Sequence, residues 1–398
     1  MKKKLEETYM PDREGRKSRV MVGLSGGIHS FVTAYLLKIQ KYDLVALTVV
    51  VGEMDKDNSA LSCQITSERL DVIRSFCKSL GIAHHIANAE DEFKERVLDP
   101  WLSEKITGGL GVPCWNCHDL RMQVLFSKAK EYGIDQVATG HFGKIFKNEN
   151  HHSVFVHTGN DELKDQSALL SRLGPEILNS LLLPLSDLQE KEVLKLAENF
   201  GVSFENSSPN VFHCLESGDQ ITELIEKQVP ARFLTKGEVF KENDKIGDHP
   251  GIHHATLGGA VPIIDMNNQN NSLLLGKYVV AEKKIQVVTE EYFNVNQFQL
   301  LKCSIANETP WSEPFRGVVR KTNNDAQDCW VYPKSLHSAF IVLDGPLKLV
   351  EGEIVSINKR KGKNSKVFLS GVVKYYAEKK TEEDSDSAKY KIDPRIDF

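Results

Sequence analysis

The sequence has few of the features that would commit it to a membrane or to a disulfide-held fold. No apolar run reaches the about 18 residues of a membrane span, and residues 1–7 lack the apolar stretch of a signal peptide. Its seven cysteines are spread over 398 residues and form no disulfide framework. We therefore expect a cytoplasmic protein, without a membrane partner, whose functional cysteines are catalytic or bind a metal.

The chain also lacks a strong excess of charge of one sign. Its formal net charge of −5 argues against a protein that coats nucleic acid in general. A local basic groove remains compatible with this total, because electrostatic attraction depends on where the charges lie. With 40% hydrophobic residues over 398 positions, two or three packed domains are expected.

Apolar periodicity predicts an α/β fold in the first half of the chain. Buried strands are predicted at residues 19–24, 42–52, 83–89 and 135–142, and amphipathic helices at residues 30–40, 65–82 and 120–134. Strands that alternate with helices indicate a doubly wound parallel sheet covered on both faces.

After about residue 218 the pattern changes to glycine-rich turns and short β runs. We predict a nucleotide-binding and catalytic domain at residues 1–218, a small central β-rich linker domain at 219–276 and a C-terminal β-barrel at 277–378. The highly charged segment at 379–398 is predicted to be a disordered tail.

The run "GLSGGIHS", from Gly23 to Ser30, joins the first strand to the first helix. Glycines allow close approach to the backbone, and the N–H groups of a helix N-terminus attract an anion. A Ser-Gly-Gly run by itself is also an ordinary structural turn. Its position at the carboxyl edge of an α/β sheet, where ligands bind, favours a phosphate-binding loop.

The loop resembles the Ser-Gly-Gly-x-Asp-Ser loop of the PP-loop ATP pyrophosphatases, which activate a carbonyl group by adenylation. Five later segments resemble the tRNA-specific 2-thiouridylases, in the same order. "GVPCWNCHDLRM" is similar to Asn-Pro-x-x-x-Cys-Asn, "VATGHFGK" to Ala-Thr-Gly-His-Tyr, and "LKDQSALLSRL" to Lys-Asp-Gln-Ser-Tyr-Phe-Leu. "LLPLSDLQEKEV" is similar to Phe-Pro-Leu-Gly-x-Leu-x-Lys-x-Glu-Val, and "GIHHATLGG" to Gly-x-x-x-Tyr-Thr-Ile-Gly-Gln-Arg. From about residue 18 to 378, the chain is identified as a divergent member of that family.

The resemblance implies ATP-dependent sulfur transfer to a tRNA uridine: adenylation of the base carbonyl, then sulfur insertion from a cysteine persulfide. It implies ATP and Mg²⁺ as cofactors, and tRNA and a persulfide sulfur donor protein as partners. The implied RNA contacts are Lys164, Asp165, Gln166, Arg320 and Lys321, although a solvated strand explains the last two equally well. The implied nucleotide contacts are Gly23, Leu24, Ser25, Gly26, Gly27, Ile28, His29, Ser30, Val49 and Gly140.

The cysteines allow two kinds of sulfur chemistry. Cys114 and Cys117 form a Pro-Cys-x-x-Cys, which alone suits a zinc half-site, a redox pair, cluster ligands or two structural cysteines. The resemblance places Cys117 and Cys214 at the two catalytic cysteine positions, with a persulfide on Cys214 that Cys117 resolves. In the alternative, Cys114, Cys117 and Cys214 bind an iron–sulfur cluster. His118 and His213, which flank these cysteines, are either activating groups or ordinary polar neighbours.

Departures from the family pattern leave the function open to other interpretations. His29 stands where the loop Asp is expected, His118 replaces an Asn, and "LGGAVPI" lacks the Gln-Arg-Lys. Because an imidazole is a poor ligand for Mg²⁺, we expect ATP binding with slow pyrophosphate release, which His29→Asp should speed. The alternatives are a relative that binds RNA or nucleotide without turnover, and a PP-loop enzyme with another acceptor.

Overall fold

The computed structural model describes residues 18–52, 65–110, 113–148, 153–198, 218–264, 273–306, 309–321, 323 and 325–375. Cys214 and His213 lie outside these residues, as does the segment predicted to be a tail. Within the described ranges, every helix is too short or too polar to cross a membrane.

The N-terminal part contains a parallel five-stranded sheet in the order β3-β2-β1-β4-β7. The first strand pairs with β2 on one side and with β4 on the other, so the strand order reverses there and creates a crevice at the carboxyl ends. The four strands predicted from sequence are present, but the fourth is only three residues long. These strands are β1 Arg19–Gly23, β2 Asp43–Val50, β3 Ala83–Asn88, β4 Gln136–Ala138 and β7 Leu181–Leu182.

Helices cover both faces of this sheet, as the sequence predicted. Val20 and Val22 pack in one core with the first two helices, whereas Met21 packs on the opposite face with the fifth helix. This alternation is the period-two pattern of a strand buried on both sides. The helices in this part are α1 Ile28–Ile39, α2 Ser67–Leu80, α3 Glu90–Phe93, a π-helical turn Lys94–Leu98, α4 Asp99–Ile106, α5 Cys114–Glu131, α6 Ser167–Leu170, α7 Pro175–Ser180 and α8 Glu190–Ala197.

One predicted helix begins earlier than expected. The sequence predicted a helix at residues 120–134, but α5 begins at Cys114, directly after Pro113. The Cys-x-x-Cys pair therefore lies on the first helical turn. Beyond β4, a small antiparallel hairpin formed by β5 Lys144–Asn148 and β6 Ser153–His157 packs beside this part of the fold.

A small β-rich unit follows helix α9, Gly218–Gln228. Its four strands are ordered β10-β11-β8-β9, and β11 pairs parallel to β8. This pairing joins residues 284–288 to the four-stranded sheet of the small unit. We therefore propose a domain boundary after β11, later than the predicted boundary at residue 276. The strands are β8 Gly237–Lys241, β9 Asp244–His249, β10 Leu274–Val279 and β11 Lys284–Val288.

The C-terminal part is a closed six-stranded barrel in the order β12-β15-β14-β13-β16-β17, which confirms the predicted barrel. Its interior is filled by buried apolar side chains that include Phe298, Val331 and Ile341. The strands are β12 Asn294–Ile305, β13 Phe315–Arg320, β14 Ala326–Ser335, β15 Ser338–Lys348, β16 Ile354–Asn358 and β17 Val367–Lys374.

Candidate functional site

The glycine-rich loop between β1 and α1 has the geometry of an anion-binding turn. Gly26 has a φ of +76°, a conformation that glycine adopts at little cost. The Ser30 hydroxyl donates to the Gly27 carbonyl at 2.7 Å, and the Gly27 N–H lies 3.4 Å from the Ser25 hydroxyl oxygen. Gly27 has no side chain to cap α1, so the Ile28 and His29 N–H groups of the first turn remain available to a ligand anion, whereas the Ser30 N–H donates to the Gly27 carbonyl at 3.1 Å.

A cavity of about 340 Å³ opens in front of this loop, at the carboxyl ends of β1, β2 and β4. A Cβ at Gly140 would lie 2.7 Å from the carbonyl carbon of His29, so only glycine allows this close approach. Ten predicted site residues line the cavity: Gly23, Leu24, Ser25, His29, Ser30, Val49, Cys114, Cys117, Gly140 and Gln166.

Cys114 and Cys117 are three residues apart on α5, and both line the cavity. Cys117 is buried, and the Arg121 guanidinium donates through Nε to its sulfur at 3.3 Å. The same guanidinium donates through Nη1 to the Val49 carbonyl at 2.9 Å, which fixes its position. A cation held against the sulfur stabilises the thiolate, which is the nucleophilic and metal-binding form of cysteine.

The other described cysteines lie in hydrophobic surroundings. Burial raises the pKa of Cys77 to about 11, and those of Cys303 and Cys329 to about 12. Their thiols therefore stay protonated at neutral pH and are poor nucleophiles. Cys114 and Cys117 differ from these three cysteines because they line the loop cavity, and Cys117 also accepts a hydrogen bond from Arg121.

Two histidines, His118 and His141, lie side by side on the cavity wall in different surroundings. Burial, together with the nearby His118 and His29, lowers the pKa of His141 to about 3, and its Nδ1 lies 2.8 Å from the Thr139 hydroxyl. The rings of His118 and His141 meet edge to face at 5.0 Å. Both ring nitrogens of His118 are buried without a hydrogen-bond partner among the described residues, and Nδ1 lies 3.5 Å from a carboxylate oxygen of Asp119.

His29 makes a side-chain hydrogen bond that no sequence argument had anticipated. Its Nε2 is 2.6 Å from a carboxylate oxygen of Glu190, the first residue of α8, 161 residues later in the chain. Burial by itself would raise the pKa of Glu190, but the hydrogen bond and charge of His29 and the charge of Lys164 lower it. Glu190 therefore provides a carboxylate beside the loop.

The residues predicted to contact RNA occupy less exposed positions than that role requires. Arg320 and Asp165 are both buried, and their side chains pair with each other at 3.0 Å. Arg320 also donates to the Glu162 carbonyl at 3.0 Å, which ties strand β13 to the loop before α6. Their contact with RNA stays a prediction, and the geometry favours a structural role for this pair.

The other three such residues are also engaged within the protein. The Gln166 side chain accepts a hydrogen bond from the Phe142 N–H at 3.1 Å and lines the loop cavity. Lys164 lies 3.7 Å from Glu190. Lys321 donates to the Lys348 carbonyl at 2.7 Å.

A second, larger cavity of about 710 Å³ lies where the N-terminal, central and C-terminal parts meet; we call it the interdomain groove. Trp115 and Asn116, the two residues between the cysteines of α5, form part of its wall. Its charged lining residues comprise four cations and two acids, although the whole chain is acidic. They are Arg172, Lys277, Lys302, Lys374, Glu104 and Glu351, and three tyrosines join them: Tyr278, Tyr292 and Tyr375.

Comparison with known proteins shows which family combines the glycine-rich loop with the cysteine pair. Residues 18–212 match the model of the tRNA methyl transferase HUP domain. Over 274 residues the chain is 30% identical to the tRNA-specific 2-thiouridylase MnmA of Clostridium beijerinckii, which covers 65% of this chain and 75% of that protein. The chain belongs to the tRNA-specific 2-thiouridylase family.

A second curated relative matches the chain to a similar extent, and solved structures show a weaker similarity. The 2-thiouridylase MnmA of Clostridioides difficile is 29% identical over 271 residues, covering 65% of this chain and 74% of that protein. Among solved structures, the U34-tRNA thiolase NcsA of Methanococcus maripaludis, determined with its 4Fe–4S cluster, is 24% identical with a TM-score of 0.34. That similarity covers 58% of this chain and 74% of that chain.

The family pattern found most, but not all, of the cavity residues. Gly26, Gly27 and Ile28 are not among the residues that line the cavity, and the buried Ile28 packs against α8. The pattern missed Arg121, which could have been found from its place one turn after Cys117 on a helix. It also missed Glu190, whose signal was a mismatch within the "LLPLSDLQEKEV" segment.

Proposed function

We propose that this protein uses ATP to thiolate a uridine of tRNA; its relatives are named tRNA-specific 2-thiouridylases. One observation carries the proposal. On the first turn of α5, Cys114 and Cys117 line the loop cavity, while Trp115 and Asn116 between them line the interdomain groove. A nucleotide in the first cavity and an RNA base in the second would meet at the cysteines.

The loop cavity suits the triphosphate of ATP. The N–H groups of Ile28 and His29 at the start of α1 are donors that match phosphate oxygens. The hydroxyls of Ser25 and Ser30 donate within the loop and would have to rotate to donate to a phosphate. Mg²⁺ prefers oxygen ligands, and the Glu190 carboxylate supports its binding near His29. Adenylation would join the uracil O2 to the α-phosphorus of ATP and release pyrophosphate.

The cysteines would then supply the sulfur. A persulfide on Cys214, loaded by a persulfide donor protein, attacks C2 of the base, and the former O2 leaves with AMP. The Cys117 thiolate, stabilised by Arg121, attacks the Cys214 sulfur, which releases the thiolated base and leaves a Cys117–Cys214 disulfide. A thiol reductant must reduce that disulfide before another turnover.

An iron–sulfur cluster is the competing form of this proposal. Cys114 and Cys117 lie on one helix face, which is compatible with two thiolate ligands of one cluster, and Cys214 would be a third. A bound cluster would activate a sulfide at an iron without a protein ligand. The two forms differ in whether Cys114 is needed.

The interdomain groove supports RNA as the acceptor. Its excess of lysine and arginine would attract the phosphate backbone. Its three tyrosines offer the aromatic surfaces on which unpaired bases stack, whereas Trp115 is buried in the wall. A tRNA substrate also supports the cytoplasmic location expected from the sequence.

Mass spectrometry of tRNA nucleosides from cells with and without this gene tests the proposal. We expect one thiolated uridine to disappear on deletion and to return with the wild-type gene but not with Cys117→Ser. An unchanged nucleoside profile would contradict the function, and ATP binding without any pyrophosphate release would favour the alternative of binding without turnover.

A further inference from the structure

The pair formed by His29 and Glu190 joins two departures from the family pattern. In "LLPLSDLQEKEV", residues Pro184, Leu185, Leu188, Glu192 and Val193 match the pattern, so Glu190 occupies the position of its Lys. His29 occupies the position of the Asp in the loop pattern. A carboxylate and its nitrogen-bearing partner have therefore exchanged places between two segments that the structure brings into contact at 2.6 Å.

The surroundings favour a carboxylate at residue 190. Glu190 is the first residue of α8, where the helix dipole stabilises negative charge, and its backbone N–H donates to the Asp161 carboxylate at 2.8 Å. The Lys164 Nζ lies 3.7 Å from Oε1 of Glu190, the carboxylate oxygen that does not contact His29. The Glu190 side chain is 19% exposed and that of His29 is 30% exposed, so water screens the pair only partly.

We propose that His29 and Glu190 form an exchanged charge pair, in which the carboxylate beside the phosphate loop comes from α8 instead of from the loop. Glu190 is then a positioning residue, because its bond to Nε2 fixes the imidazole ring and leaves Nδ1 as the other nitrogen that can meet a ligand. The proposal rests on ATP being the ligand of the loop cavity.

This pairing changes what is expected of a substitution at residue 29. From the sequence, His29→Asp restores the family loop and should speed pyrophosphate release. In the structure, the single substitution sets a new carboxylate against Glu190, and like charges at this separation repel. The family arrangement requires the double variant His29→Asp/Glu190→Lys.

A double-mutant cycle tests the exchange. ATP affinity is measured by calorimetry, and the thermal midpoint by fluorescence, for the wild type, both single variants and the double variant. The matched control combines His29→Asp with Glu198→Lys, which makes the same charge change at an exposed position of the segment that ends α8.

We expect each single variant to bind ATP on the order of tenfold more weakly, and the double variant to recover most of the loss. The control combination should stay weak. Additive losses in the double variant, or full ATP affinity in both single variants, would overturn the proposal. Recovery of the thermal midpoint without any change in ATP affinity would also overturn it, since the pair would then be only structural. Neither measurement uses tRNA, so failure of the thiolation proposal would be seen separately.

A different cluster, far from the loop in sequence, points to a metal site. Glu226 on α9 and His253 and His254 on a short 3₁₀ turn each offer one ligand atom, and these atoms lie within 4.8 Å of one another. The Glu226 carboxylate oxygen is 3.4 Å from the His253 Nε2. Two ligands at the usual Zn²⁺ distances on a tetrahedral edge are separated by about 3.4 Å.

The donor set of this cluster suits a metal. The His253 side chain is only 3% exposed. Two imidazoles with a carboxylate are a donor set that zinc accepts.

We infer that Glu226, His253 and His254 bind one divalent transition-metal ion, with Zn²⁺ as the best match, and that it fastens α9 to the central sheet unit. Co²⁺ titration of chelator-treated protein provides the test. The wild type should show the visible absorption of tetrahedral Co²⁺ with nitrogen and oxygen ligands.

His254→Ala and Glu226→Gln, both at exposed positions, should lose that signal, whereas His337→Ala on the barrel should keep it. Cysteine ligands elsewhere would add a near-ultraviolet sulfur band that these variants leave unchanged. The inference would be overturned if His254→Ala gave the same visible spectrum as the wild type. It would also be overturned if the wild type bound no more Co²⁺ than the variants.

Discussion

The buried pair of Arg320 and Asp165 allows a sharp distinction between an RNA contact and a structural clamp. Their side chains are 9% and 5% exposed and pair at 3.0 Å, although the residues are 155 positions apart. Asp165 also accepts the Gly159 N–H and the Ser167 hydroxyl, each at 2.6 Å. The pair therefore holds the C-terminal barrel against the loop before α6.

Arg320→Met should destabilise the protein strongly. Removing one partner of a buried ion pair leaves the other charge without compensation, which typically costs about 3–5 kcal/mol. Arg316→Met provides a matched control, because Arg316 lies on the same strand and pairs with Asp344 at the surface, with both side chains 44% exposed. An exposed pair contributes about 0–1 kcal/mol.

Urea unfolding followed by tryptophan fluorescence measures both effects, since Trp311 and Trp330 belong to the barrel part of the chain. Asp165→Asn/Arg320→Met should be less unstable than the sum of its single variants, because no buried charge is left unpaired. Binding of tRNA is measured on the same samples. If Arg320→Met unfolds at the wild-type urea concentration while its tRNA affinity falls, the clamp is refuted and the predicted RNA contact is supported.

Three further outcomes are expected. Lys302→Ala, in the interdomain groove, should weaken tRNA binding and reduce the slope of log affinity against log salt by about one, without changing ATP affinity. Cys114→Ser should abolish thiolation and iron binding if a cluster is used, and should leave activity if the persulfide route is used; iron and sulfide assays on anaerobically purified protein distinguish these. Burial lowers the pKa of Lys105 to about 8 from 10.5, so the unfolded chain holds more protons between those values and stability should rise with pH across that range. Lys105→Met should remove this rise of the thermal midpoint with pH. If the thermal midpoint of the variant rose with pH as steeply as that of the wild type, the burial effect would be contradicted.

Local sequence patterns were enough to identify most helices and strands of the N-terminal part and the family. Periodicity located the strands around Val20 and Leu47 and the helices around Phe31 and Ile73, because each pattern spans a few neighbouring residues and reflects which face is buried. The Ser-Gly-Gly loop and the Cys-x-x-Cys were visible for the same reason. The start of α5 was missed because "GGLGVPC" carries glycines and a proline, which are poor signals for a helix.

Only the tertiary structure decided which distant residues act together. His29 meets Glu190 and Asp165 meets Arg320 across more than 150 positions, because the chain path brings α8 and strand β13 to these places. The helical turn at Cys114 likewise decides that Cys114 and Cys117 line one cavity while the two residues between them line another. A local pattern can show that His29 breaks a motif. It cannot show that a carboxylate from another helix stands opposite, because that contact depends on how separate elements pack.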